Sequence, residues 1–303
     1  MVECWSREKK RGVNRNMFFL KFIILLCISA IAQLVFVESV LAWGPAVHTV
    51  TALRALNDAC LLLPSIARII TSFPIQYLYG CLSADFFIGK TKRTKARHLH
   101  NWEGGLTLLS MASDDRESAY AYGFLSHLAA DVVAHNIFIP NLIKSFPMRR
   151  QMGHLFWEIK ADYLVGPGYI KTARDVLSMD HRRCDALLTL IAGKGKNGLK
   201  AKKHVFTQSV KVSDYFYATH HMLFEGKLVR WQVFHKYLTF MLELSCYLVE
   251  DLLKNSESST CLLYDPMGRQ NLRLAKKSRS FMRPYKNRRP IKRFAIRQEP
   301  LEL

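Results

Sequence analysis

After residue 43, apolar side chains recur every three or four positions, the spacing that keeps them on one face of a helix. The segment "AVHTVTALRALNDACLLL" over 46–63 opens the series, and Pro45 suits a first helical turn, where its missing N–H removes no bond. A second run, "YAYGFLSHLAADVVAHNIFI" over 120–139, is ended by Pro140. Further helices are predicted over 150–165, 172–193, 204–225 and 229–255, with "GKGKNGLKAKK" at 193–203 as Gly/Lys-rich punctuation. Few stretches alternate with the period of two that a strand needs, and no segment repeats another. The pattern predicts one all-α, multi-helix domain over 43–260.

Before residue 43 the pattern differs. Arg7, Lys9, Lys10, Arg11, Arg15 and Lys21 form a basic lead, and an apolar run follows from Phe22 to Val37. Val40 and Ala42 then occupy the small-residue positions that a signal peptidase reads. Residues 1–42 are expected to be a signal peptide cut after Ala42, which makes Trp43 the new N-terminus, with Met17 as an alternative start. The stretch from Met17 to Ala42 is also long enough to span a bilayer, so an uncleaved membrane anchor is the rival expectation. Both predict an exported protein, periplasmic or extracellular, or one held at a membrane.

Half of the 303 residues are hydrophobic, enough for one sizeable core. Lys and Arg number 44 against 24 Asp and Glu, a balance of +20 that favours anionic partners: a phospholipid or membrane surface, or nucleic acid. From Arg269 to Arg297 there are twelve Lys/Arg and no acid, so 261–303 is read as a solvated, disordered basic tail that doubles as an electrostatic membrane tether. Outside the leader stand Cys60, Cys81, Cys184, Cys246 and Cys261, an odd set without C-x-x-C spacing, which argues against a disulfide framework and a thiolate zinc site. No Gly-x-Ser-x-Gly elbow marks a serine nucleophile.

Candidate chemistry lies elsewhere. His127, Asp131 and His135 follow one another at intervals of four, which lines them along one helical face with about 40° of drift per step. A single buried histidine is usually a hydrogen-bonded core residue. Three such groups in an apolar row are costly to bury unless a cation compensates them. His154 and Glu158 form another i, i+4 donor pair, "GCLSADFFIGK" supplies Asp85, and "RHLHNWEGG" supplies His98 and His100. His181, His204, His220, His221 and His235 lack partners in order and are read as surface or core.

The ordered set "WGPAVH", "GCLSAD", "HLHNWE", "HLAADVVAH" and "HLFWE" resembles the zinc-dependent phospholipase C superfamily. That superfamily includes the bacterial phosphatidylcholine-cleaving enzymes, the N-terminal domain of glycosylphosphatidylinositol phospholipase D and, more distantly, zinc-dependent single-strand nucleases. The resemblance runs by motif from 43 to about 165, and by helix pattern to about 255. It implies up to three zinc ions as cofactors. Trp43 would ligate through its free α-amino group and carbonyl, together with His48 and Asp131. Asp85, His100 and His127 would hold a second ion with Asp131 bridging, and His135, His154 and Glu158 a third. His100 is preferred to His98 because it directly precedes "NWEGG". An amide nitrogen is a poor ligand whereas a free amine can lose its proton to a metal near neutral pH, so removal of the leader would create a ligand.

The implied reaction is phosphodiester hydrolysis on glycerophospholipid headgroups, of C or D type, with Asp85 or Glu158 as the group that accepts the proton of the attacking water. A zinc nuclease and a membrane-anchored helical protein with a structural metal are the alternatives. The interval from Asp131 to His135 is shorter than in the classical phosphatidylcholine enzymes and resembles the phospholipase C/D branch. No calcium-binding β-sandwich follows the helical region, so docking on a membrane would fall to the basic surface and tail.

Overall fold

The structure, a computed structural model, describes residues 43–87, 99–145, 152–192, 196–220 and 229–281. The leader, with the signal-peptide and anchor expectations attached to it, and His98 lie outside the described residues. Every regular element among those residues is helical, as the apolar spacing predicts.

Four helices begin on proline: α1 (Pro45–Asn57), α2 (Pro64–Ser72), α3 (Pro74–Ser83) and the later one that starts at Pro167. Each proline sits where the first-turn N–H has no intrahelical acceptor, and its fixed φ already suits a helix. Two more begin on side-chain caps. The Asn101 side chain accepts from the Gly104 N–H at the start of α4 (Trp102–Ser110). Asp114 accepts from the Glu117 N–H at the start of α5 (Asp115–Val133), while the Glu117 carboxylate accepts from the Ser113 N–H at 2.9 Å.

The middle of the molecule is α5. From Ala119 to Val133 nearly every residue is buried, including Ser126, His127 and Asp131, so this helix is enclosed on all sides. Helix α3 packs along it most intimately. A Cβ added to Gly80 would lie 2.0 Å from the Tyr120 carbonyl oxygen, and one on Gly123 would lie 2.0 Å from that of Tyr77. Only glycine at both positions permits this separation of the two helices.

Helix α5 does not stop before Pro140. Residues Ala134–Phe138 form a π turn in which the Ile139 N–H reaches the Ala134 carbonyl, and α6 (Ile139–Ser145) carries Pro140 inside it. Proline cannot supply the next ladder hydrogen bond, and the widened turn just before it carries the chain past that gap. The helix expected over 172–193 is two, α8 (Pro167–Leu177) and α9 (Arg182–Ala192). Asp180 causes the break: its carboxylate accepts from the Arg182 N–H at 3.0 Å, a local bond that competes with continued helix. The Gly/Lys-rich segment is punctuation only in part, because α10 (Lys196–His220) begins within it and Lys203 pairs with Asp185 at 2.6 Å.

The remaining α-helices among the described residues are α7 (Met152–Val165), α11 (Val229–Asn255) and α12 (Arg269–Phe281). The expectation of a solvated tail from 261 is corrected for its first part. Cys261, Leu272 and Ala275 are buried, and α12 rests on α6 and the π turn. The side-chain amide of Asn271 donates to Asn136 at 2.9 Å. The interval of three between Leu272 and Ala275 provides the one apolar edge that a basic helix needs to dock. Residues beyond 281 lie outside those described.

Candidate metal centre

Five elements bring donors to one buried point. His48 comes from α1, Asp85 from the 3-10 turn Ala84–Phe87, and His100 from the residues just before α4. Helix α5 contributes His127 and Asp131, and the π turn contributes His135. All six are buried.

Asp131 is the hub. Its Oδ2 lies 3.2 Å from His100 Nε2, 3.3 Å from His127 Nε2 and 3.6 Å from His135 Nε2, and its Oδ1 lies 3.5 Å from His48 Nε2. Asp85 Oδ1 approaches His127 Nε2 from the other side at 3.6 Å. The rings of His48 and His127 stack at 3.8 Å between centroids. His127 Nδ1 is 2.7 Å from the Cys81 carbonyl. A carbonyl only accepts, so Nδ1 carries the proton and Nε2 is turned toward the carboxylates and His100.

The electrostatics follow from packing these groups together away from water. Burial works against charge on Asp131, but His127, His100 and His135 outweigh it and hold its carboxyl well below the usual carboxylate range. Burial also opposes charge on His127, yet the Asp131 and Asp85 carboxylates lift that imidazole to about 9. Burial pushes His48 and His100 down to about 4 and Asp85 up to about 7. The Glu158 carboxyl on α7 is raised well above its ordinary value, first by burial and then by the charges of Asp85, Asp162 and Asp131.

Several buried polar atoms here have no hydrogen-bond partner: both ring nitrogens of His48 and of His135, His100 Nδ1 and Asp131 Oδ1. Buried polar groups are ordinarily paired. Orphaned imidazole nitrogens converging on one carboxylate are the donor set that a zinc ion takes. His48, His127 and Asp131 present ligand atoms within 4.8 Å of one another, and so do Asp85, His100 and His127. The residues present fit zinc.

The sequence profile of the zinc dependent phospholipase C family matches residues 47–211. The chain belongs to that family. No curated protein and no solved structure matches it. Membership and the histidine/aspartate clusters together support a zinc phospholipase, and a hydrolase in which zinc is the metal.

Within this family member, the resemblance distributes Asp131 between two ions and assigns His135 elsewhere, whereas the geometry puts His48, His100, His127 and His135 all around Asp131. His154 lies on α7, and its side chain is outside the described residues. Trp43, placed beside the first ion by the resemblance, has its indole N–H directed at the Ala130 carbonyl at 3.1 Å and at Ser245 Oγ at 3.2 Å. The ring also packs on Phe138 at 4.4 Å. Sequence reading missed Asp162, buried on α7 one turn after Glu158. Its interval of four from Glu158 was the available signal.

Proposed function

We propose that the protein is an exported phosphodiester hydrolase that cleaves glycerophospholipid headgroups, of C or D type, with up to three zinc ions. The observation that carries this reading is the set of four buried imidazoles around Asp131, in a chain of the zinc-dependent phospholipase C family. Zinc bound by these residues would polarise a phosphoryl oxygen and bring the pKa of water toward about 7. Asp131 supplies the negative charge that balances the metal, and the Cys81 carbonyl fixes the tautomer of His127. Burial raises the basicity of the Asp85 and Glu158 carboxylates, and one of them, when ionised, would accept the proton of the attacking water and become the neutral acid. With the leader cut after Ala42, Trp43 adds an α-amine beside His48.

The partner surface is anionic or zwitterionic phospholipid, approached by the basic helix α12, on which Arg269, Arg273 and Lys277 are exposed. Among the described residues no helix is long and apolar enough to cross a membrane. The excess of 44 Lys and Arg over 24 acids keeps nucleic acid as a second substrate class. A membrane-anchored protein with a structural metal is the third reading.

The test is hydrolysis of short-chain phosphatidylcholine against single-stranded DNA, with zinc counted per chain in the same sample. Lipid cleavage that disappears in His127→Ala and Asp131→Ala supports the phospholipase. Cleavage of DNA alone supports the nuclease, and zinc without either activity supports the structural site.

A further inference from the structure

Helix α1, which carries His48, begins without a cap of its own. Gly44 stands at its N-cap position and has no side chain, so the amides that follow need an acceptor from elsewhere. Asp162 provides it from α7. Its Oδ2 accepts from the Ala46 N–H at 3.2 Å and its Oδ1 from the Val47 N–H at 3.1 Å, across more than a hundred residues of chain. The next amide, that of His48, turns back to the Gly44 carbonyl at 3.2 Å, so His48 is the first residue held by the helix itself. The carboxylate also lies directly against Gly44, where an added Cβ would meet Asp162 Oδ2 at 2.2 Å.

A local Ser or Asp cap would stabilise α1 equally well. What it would not do is join α1 to α7, the helix on which Glu158 stands one turn before Asp162. Only a carboxylate suits the position, because it offers two acceptors to two N–H groups and complements the positive end of the helix. The same six-residue segment is pinned at its other end by the Trp43 indole on Ala130 and Ser245.

We infer that Asp162 is a positioning residue for the metal centre, holding the Trp43–His48 segment in register with α5 and α7 so that His48 meets Asp131. The inference rests on reading the His48 cluster as a zinc site. Asp162 touches the backbone of the segment and acts on the metal only through it.

The full chain carrying Asp162→Asn tests this. An asparagine of the same shape accepts one N–H and confronts the other with its own NH2. Asp251→Asn is the control, since Asp251 accepts from the Thr260 N–H at 3.1 Å in a comparable carboxylate-to-backbone contact at the end of α11. Stripped protein is titrated with zinc against a competing chelator, its cobalt-substituted visible spectrum is recorded, and melting is followed by circular dichroism. Asp162→Asn is expected to lose about tenfold or more in zinc affinity, the usual effect of removing an outer partner of a metal site, and to shift the cobalt bands. Asp251→Asn is expected to melt earlier with affinity and bands unchanged. Gly44→Ala, which keeps the carboxylate and displaces the segment, serves if Asp162→Asn does not fold, and is expected to give the same metal phenotype. Wild-type affinity and spectrum in a folded Asp162→Asn or Gly44→Ala protein, or equal losses in Asp251→Asn, would reduce Asp162 to a helix cap. A wild-type chain that binds no zinc would instead overturn the metal reading itself.

Discussion

His127 Nδ1 donates to the main-chain carbonyl of Cys81 at 2.7 Å, and this contact between α5 and α3 sets which ring nitrogen faces the metal centre. It exists because Gly80 and Gly123 let the two backbones meet. A carbonyl partner on the far nitrogen of a ligating histidine fixes its tautomer and ring plane.

Gly123→Ala therefore strikes packing and chemistry together. The added methyl would lie 2.0 Å from the Tyr77 carbonyl oxygen, which forces α3 and α5 apart. A loss of about 1–3 kcal/mol is expected, the usual cost of overpacking, with zinc affinity falling alongside. Urea unfolding and a chelator titration on one sample check this; lowered stability with intact affinity would detach the glycine contact from the metal centre.

Asp131 is the shared carboxylate of four imidazoles, so Asp131→Ala should remove bound zinc and reduce hydrolysis to background. Without a metal, the variant also leaves the buried charge on His127 without its main partner, a loss of about 3–5 kcal/mol in buried pairs elsewhere. Elemental analysis and melting of the variant, with and without zinc, measure the two effects separately.

Proton binding predicts a distinct pH response of the metal-stripped protein. His48 and His100, pushed down to about 4, favour the fold increasingly as pH rises toward the ordinary histidine value of 6.5, and add nothing further above it. His127, raised to about 9, stabilises fully below 6.5 and loses its contribution as pH rises through about 9. Asp85, raised by burial from 3.8 to about 7, contributes fully below 3.8 and loses that contribution as pH rises through about 7, so it adds little to the change above pH 7. Stripped protein should thus melt lower at pH 9 than at pH 6.5, whereas zinc-loaded protein, with the metal in place of the His127 proton, should resist that fall. Zinc affinity should increase over the same interval, since the ion displaces that proton. Equal melting of the stripped protein at both pH values would contradict a proton on His127.

Trp43→Phe keeps the backbone and most of the ring but deletes the indole donor shared by Ala130 and Ser245. The expected cost is about 1–2 kcal/mol, since a buried carbonyl loses its side-chain partner, while zinc content stays at the wild-type level. Loss of zinc from a folded Trp43→Phe protein would show that the indole, as well as the segment's backbone, orders the site.

The sequence by itself carried the helical class and the donors that one helix can display. Intervals of four put His127, Asp131 and His135 on one face, and "WGPAVH" through "HLFWE" in order resembled the family to which the chain belongs. These features are local, because a helix repeats every 3.6 residues whatever surrounds it. Tertiary structure decided the rest: that His100 faces His127, that a π turn carries His135, that Asp162 caps a helix more than a hundred residues away, and that Leu272 and Ala275 turn a basic segment into a docked helix. Periodicity states which side chains share a face but not which face lies opposite. Here that was decided by glycine-enabled helix contacts and by buried polar groups that must find partners.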